Sequence, residues 1–174
     1  FLQAANRQRL KFALMWANHD RVDQFCPEFG KPRNLWLPSR HTARDLERVI
    51  DYCAEHYFSQ PNYWRVEGGL FLSVFQAIRF VRELGGPPAT RRLFGAIDAR
   101  LATAGLPPLH WSGMVQTAAD AATLKEAGFR STGNYNIATA GKARADGTEA
   151  YEDVMQAHRD RWQRLSAAEL VYLP

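Results

Sequence analysis

The chain predicts an α/β fold built on a parallel sheet. Short apolar runs alternate with stretches of helical spacing along most of its 174 residues. The run LFLSVF is apolar on both faces, as a strand buried between two layers must be. Glycine and proline clusters (QPN at 60–62, GGPP at 85–88, Gly105, Gly128) fall between those segments and not inside them.

Residues 11–16 (KFALMW) read as a short buried strand. Residues 40–58 follow as a helix, with Leu46, Val49, Ile50 and Cys53 at i, i+3, i+4 and i+7 and with Ser39 or Thr42 as its cap. Between them lies a 23-residue connection, residues 17–39, with three prolines and one glycine. A connection that long is uncommon in a compact domain and often functional. Residues 63–75 (YWRVEGGLFLSVF) have the form of a hairpin turning at Gly68-Gly69. Helices are expected at 77–84 and 89–103, the second closed by Gly105. Residues 109–115 (LHWSGMV) form the next strand and 118–127 the next helix, ended by Gly128. A short strand within 129–137, a small and charged stretch at 138–147, a helix at 148–165 and a strand at 170–173 complete the order. Two architectures fit: part of a (β/α)8 TIM-type barrel or an open doubly wound parallel sheet. A full barrel typically needs about 250 residues, so 174 residues read as one domain that is a fragment of a larger barrel. Either way, ligands are expected at the carboxyl ends of the strands.

Composition narrows the function. Hydrophobic residues make up 46% and charged residues 23%, ordinary for a globular domain. Net charge is +4, yet the 18 arginines and four lysines are scattered, with Arg91-Arg92 the one adjacent pair; nucleic acid is not expected as a partner. No apolar run approaches the ~20 residues of a membrane span, and no signal peptide is visible, so the expectation is a soluble, cytoplasmic chain. Cys26 and Cys53 make no CxxC pair, and Cys53 falls on the apolar face of its helix. GxGxxG, GxxxxGK[ST], GxSxG and HExxH are all absent, so no cofactor and no metal are expected.

What remains is a set of polar and aromatic residues near strand ends: Trp16, Asn18, His19 and Asp20; Ser73, Phe75 and Gln76; His110, Trp111 and Ser112; Asn134, Tyr135 and Asn136; and Tyr172. Aromatic rings that stack on a pyranose, mixed with amides and hydroxyls that take its OH groups, suit a sugar. Each residue has a plainer reading. Trp16 and Trp111 fit a core, His110 a satisfied core histidine, Asn18 an Asx turn and Asp20 a surface ion pair.

The stretch FALMWANHDRVDQF (12–25) resembles the WAN-centred strand end, F-x-L-x-W-A-N-E-N-W, of the WbsX-like proteins of polysaccharide biosynthesis loci, which group with the glycoside hydrolase family 99-like domains. NYWRVEGGLFLSVFQ resembles that family's Y-x-R-V-D-G-K-P-V-x-x-x-Y hairpin, EAGFRSTGNYNI its L-G-F-D-x-x-x-x-Y segment, and LVYLP the strand leading to its P-G-W/Y turn. The resemblance runs in order from about Lys11 to Pro174. It implies a (β/α)8 barrel acting on polysaccharide or mannose-type glycans of bacterial type, by a retaining endo-glycosidase route. In the related mannosidases, one carboxylate at this strand end activates the substrate's own 2-hydroxyl, and a second, from an E-W-x-E-G segment, is the general acid. Here His19 stands where that pattern has Glu, with Asp20 next, and E-W-x-E-G does not occur. The resemblance thus makes Asp20 and His19 the catalytic candidates, and Trp16, Asn18, Gln76, Trp111 and Tyr135 the sugar-binding ones. The alternative is a carbohydrate-binding or biosynthesis-associated barrel without hydrolysis. A reading from another class is a domain that docks a protein through Arg159, Arg161 and Arg164.

Overall fold

Five short parallel strands carry the fold. The computed structural model describes residues 2–23, 33–134 and 140–173. β1 (Leu14–Trp16), β5 (Gly69–Val74), β6 (Leu109–Met114), β7 (Ser131–Gly133) and β8 (Val171–Tyr172) lie side by side in that order, every neighbouring pair parallel. The order follows the chain and never reverses. A doubly wound sheet reverses at a switch point; this sheet winds in one direction, as an arc of a (β/α) barrel does. Its helices are α1 (Ala43–Cys53), α2 (Ala77–Glu83), α3 (Pro87–Thr103), α4 (Ala118–Ala127) and α5 (Tyr151–Ser166).

The helices pack on the sheet face made by Leu72, Val74, Trp111 and Gly113, since paired residues of parallel strands share a face. The Trp111 ring lies flat on Phe94 of α3, 4.0 Å between centroids and 4° from parallel. Gly113 is where α2 and α4 press closest to the sheet. A Cβ there would stand 2.5 Å from Leu124 Cδ1 and 2.8 Å from Ala77 Cβ. The opposite face carries Met15, Phe71, Ser73, His110, Ser112 and Ser131, and the His110 imidazole bonds the Ser131 hydroxyl at 2.9 Å.

Local chemistry fixes the ends of the helices. Thr42 caps α1 by accepting from the Asp45 amide at 3.2 Å, and Leu46, Ile50 and Cys53 bury its apolar stripe. The helix then widens into a π-helical turn at Ala54–Phe58, inside what the residue spacing alone reads as one α-helix. Thr117 and Asp120 form a reciprocal capping box on α4, and Gly128 closes it in the left-handed region.

Two features depart from expectation. The hairpin joining β4 (Arg65–Val66) to β5 turns at Glu67-Gly68, one residue earlier than Gly68-Gly69. Both turn residues have positive φ (49° and 79°), as a two-residue hairpin turn with right-handed strand twist requires. Gly69 is instead the first strand residue, pressed so closely that a Cβ would meet the His110 amide nitrogen at 3.1 Å. The long connection after β1 also contains structure: β2 (Arg21–Val22) pairs antiparallel with β3 (Leu35–Leu37) as a separate ribbon.

Candidate functional site

The site is built where β1 and β5 end together. The Trp16 carbonyl accepts from Phe75 N at 3.1 Å and from Asn18 N at 2.9 Å, so the chain turns sharply after Trp16. That turn drives the Asn18 side chain inward, to 1% exposure. There it clamps the Gln76 backbone. Asn18 Oδ1 accepts from Gln76 N at 2.6 Å, and Asn18 Nδ2 donates to Gln76 O at 3.3 Å. Both halves of the amide are thereby used on the exit of the neighbouring strand.

Beyond the clamp, Arg79 of α2 is the hub. Its Nε donates to Glu83 Oε1 at 2.7 Å, its Nη1 to Asp20 Oδ1 at 3.1 Å and to Gln76 Oε1 at 3.3 Å, and its Nη2 to the Ser39 carbonyl. Asp20 Oδ1 also accepts from Ser39 N at 2.7 Å. Glu83 Oε2 accepts from His41 N at 2.9 Å and lies 2.6 Å from His41 Nδ1, with the His41 side chain fully buried. One chain of contacts thus runs Asp20–Arg79–Glu83–His41. It ties the β1 exit and the residues after β3 to α2.

The charge consequences follow directly. The Ser39 amide, then the Arg79 guanidinium, hold the Asp20 carboxyl below the usual carboxylate range. Arg79, and then His41, bring Glu83 down to about 2 against the burial that opposes them. Both carboxyls are ionised near neutral pH, and neither is suited to donate a proton. Burial raises the Asp98 carboxyl, but it accepts from Leu109 N at 3.0 Å, at the opposite end of β6. Asp20 remains reachable, its side chain 38% exposed. His19 is half-buried, edge-on to Phe75 at 5.6 Å, with Nδ1 3.2 Å from the Ala17 carbonyl.

Two grooves open at this end and share Arg79. One, of about 630 Å³, runs over Phe75, Gln76, Arg79, Met114 and Gln116. The other, of about 510 Å³, runs over Asp20, Ser39, Arg40 and Thr42. Both fall within the usual size of small-ligand sites. Among the described residues, no three His, Cys, Asp or Glu side chains gather in a way that could hold a metal ion.

Of the residues singled out from sequence, Asn18, His19, Asp20 and Gln76 come together here. Trp111 does not. It is the third residue of β6, 1% exposed and stacked on Phe94, so no ring face is open to a sugar. The Trp16 ring points under the site, edge-on to His41 at 5.4 Å and Phe80 at 5.8 Å, where it packs against the core. Tyr135 and Asn136 lie outside the described residues. Sequence reasoning missed Arg79, Glu83, His41 and Ser39. The i, i+4 spacing of Arg79 and Glu83 was the one available signal.

No family model matches the chain, and no curated protein does. Among solved structures, it is similar to one named "Glycoside hydrolase-like protein", at 16% identity and a TM-score of 0.47, over 76% of this chain and 36% of that one. The chain therefore spans about a third of that protein's length. A likeness at that score decides neither fold nor function.

Proposed function

We propose that this chain is a glycan-handling segment of a barrel of the WbsX-like, family 99-like kind, with its sugar site at the shared exit of β1 and β5. The observation that carries the reading is the Asn18 clamp. It ties the two strand exits together, with Gln76 on one groove and Asp20 on the neighbouring groove that shares Arg79. In this reading Asp20 is an ionised carboxylate that accepts a hydrogen bond from a sugar hydroxyl, and His19 beside it offers a ring nitrogen to another. Gln76 supplies an amide to a neighbouring hydroxyl.

A non-hydrolytic role for this segment is favoured by Arg79. Glycoside hydrolysis needs a carboxylic acid that still holds its proton. Both carboxyls beside Arg79 are held ionised. Within the chain itself the proposal is therefore binding and positioning, with any general acid supplied from elsewhere. Glycan-array binding tests it, followed by titration of the best ligand. Asp20→Asn and Gln76→Ala are expected to weaken binding at least about tenfold, as loss of a charged and a neutral hydrogen bond implies, while the distant Glu169→Gln changes nothing. Failure to bind any glycan refutes the reading. Release of reducing ends by this chain alone refutes its non-hydrolytic part.

A further inference from the structure

We propose that Ser39, His41 and Glu83 form a nucleophile–base–carboxylate triad that cleaves a carboxylic ester. The inference is independent of the glycan reading and concerns a bond other than the glycosidic one. Ser39 Oγ lies 3.5 Å from His41 Nε2, and His41 Nδ1 lies 2.6 Å from Glu83 Oε2. That is the order an activated hydroxyl requires: a base beside the nucleophile, and a third group orienting the base from its far side. The outer contact is long, as such contacts often are before a substrate tightens them.

The chemistry of each partner fixes its role. An ionised carboxylate only accepts, so Glu83 makes His41 Nδ1 the donor. The neutral ring then turns a lone pair at Nε2 toward Ser39, whose hydroxyl donates to it. Glu83 Oε2 also accepts from His41 N at 2.9 Å, and Trp16 and Phe80 meet the imidazole edge-on at 5.4 and 5.6 Å. The ring is therefore held in one orientation. Ser39 is held by its backbone: its N donates to Asp20 Oδ1 at 2.7 Å, and its carbonyl accepts from Arg79 Nη2. Neither bond uses the hydroxyl, which is left for His41 and a ligand.

The triad opens on a groove. Ser39, His41 and Glu83 all line the one of about 510 Å³, room for a small acyl ester. Arg40, exposed on the same groove, brings a positive charge to the carbonyl oxygen as it becomes negative. Asp20 would oppose that charge, but Arg79 pairs with it at 3.1 Å. In the step itself, Ser39 Oγ attacks the carbonyl carbon as its proton passes to His41 Nε2. The tetrahedral adduct collapses, the ester C–O bond breaks, and the departing alkoxide takes that proton from His41. Water then attacks the acyl-Ser39 ester and gives a proton to His41, which returns it to Ser39 Oγ as the carboxylic acid leaves. Glu83 stays ionised throughout and balances the imidazolium.

Hydrolysis of p-nitrophenyl acetate tests the proposal, read as release of p-nitrophenolate. A fluorophosphonate label followed by peptide mass spectrometry gives the nucleophile. The parent is expected to turn over faster than the solution reaction and to carry the label on Ser39. Ser39→Ala keeps both backbone bonds that hold the residue, and circular dichroism verifies its fold. It is expected to lower kcat/KM at least about a hundredfold and to abolish the label. Glu83 is a positioning residue: Glu83→Gln is expected to lower kcat at least about tenfold at little-changed KM, with Glu83→Asp recovering part of the loss. The proposal is overturned if the parent hydrolyses no faster than solution, if the label falls on another residue, or if Ser39→Ala hydrolyses as the parent does. Glycan binding is measured separately, so failure of either reading is distinguishable from failure of the other.

Discussion

Replacing Asn18 by Ala removes a buried side chain that joins the exits of β1 and β5. Two contacts go: the 2.6 Å bond from Gln76 N and the 3.3 Å bond to Gln76 O. The site is closed, with Asn18 only 1% exposed, so water does not simply take over. A buried amide N–H left without a partner costs about 1–3 kcal/mol, and the longer bond to the carbonyl adds about 0.5–1 kcal/mol. The expected loss is therefore about 1.5–4 kcal/mol, a large share of the stability of an ordinary domain. Asn18→Leu separates the causes. It keeps the branched shape and the number of side-chain heavy atoms and leaves no cavity, so a loss much smaller than that of Ala identifies the cavity as the cause. Urea unfolding gives the number, read as a fall in midpoint at unchanged slope. Hydrogen exchange gives the location: the Gln76 amide loses protection while the β6 amides keep theirs. If both variants lose less than about 0.5 kcal/mol, within the usual scatter of inert surface changes, the clamp does not hold the strand ends and the site argument built on it fails.

Three further outcomes follow from other parts of the molecule. Gly113→Ala places a methyl 2.5 Å from Leu124 Cδ1, 2.8 Å from Ala77 Cβ and 3.2 Å from Phe129 Cε1; thermal unfolding should show a loss of about 1–3 kcal/mol from overpacking, partly recovered by Leu124→Val. Glu83 has a folded value depressed to about 2 from 4.5, so its contribution is full above about pH 5 and disappears as pH falls toward 2. Comparing Glu83→Gln with the parent across that window should show a difference of about 1–2 kcal/mol at neutral pH, after allowance for solvent screening, closing in acid. Cys53 is buried and free, with its thiol pushed from 9.0 to about 11; in a Cys26→Ser background a thiol reagent at mild alkaline pH should react at least about a hundredfold more slowly with folded than with urea-unfolded chain.

Much of the fold is legible in the residues because its signals are local. The periodicity of Leu46, Ile50 and Cys53, the Thr117–Asp120 box and Gly128 each act within a few residues, and α4 begins and ends where they indicate. The hairpin turn is displaced by one residue because two adjacent glycines offer two turns. Packing from outside the hairpin goes with that choice: Gly69 lies in the strand, where a Cβ would press on His110 and Pro108 at 3.1–3.2 Å. Trp111 fails as a strand-end residue for a related reason. The strand's start at Leu109 is legible, but the alternation in LHWSGMV does not say which face meets the helices, so the sequence leaves the ring's surroundings open.

The site itself was half legible, and the division has a physical cause. Asn18, His19 and Asp20 are adjacent in sequence and follow directly on an apolar strand, so they attract notice together. Arg79 reaches Asp20 across 59 positions and Ser39 across 40, and Glu83 reaches His41 across 42. No local pattern encodes those pairings; they exist because β1 and β5 run parallel in register, Trp16 beside Val74, which brings the start of α2 against the β1 exit. The same pairings decide how the WANHD segment reads. A carboxylate after WAN suggests acid–base chemistry when seen alone. Set between the Ser39 amide and Arg79, Asp20 is fixed as an anion that can accept but not donate, and what the segment offers a ligand is a charge held in place.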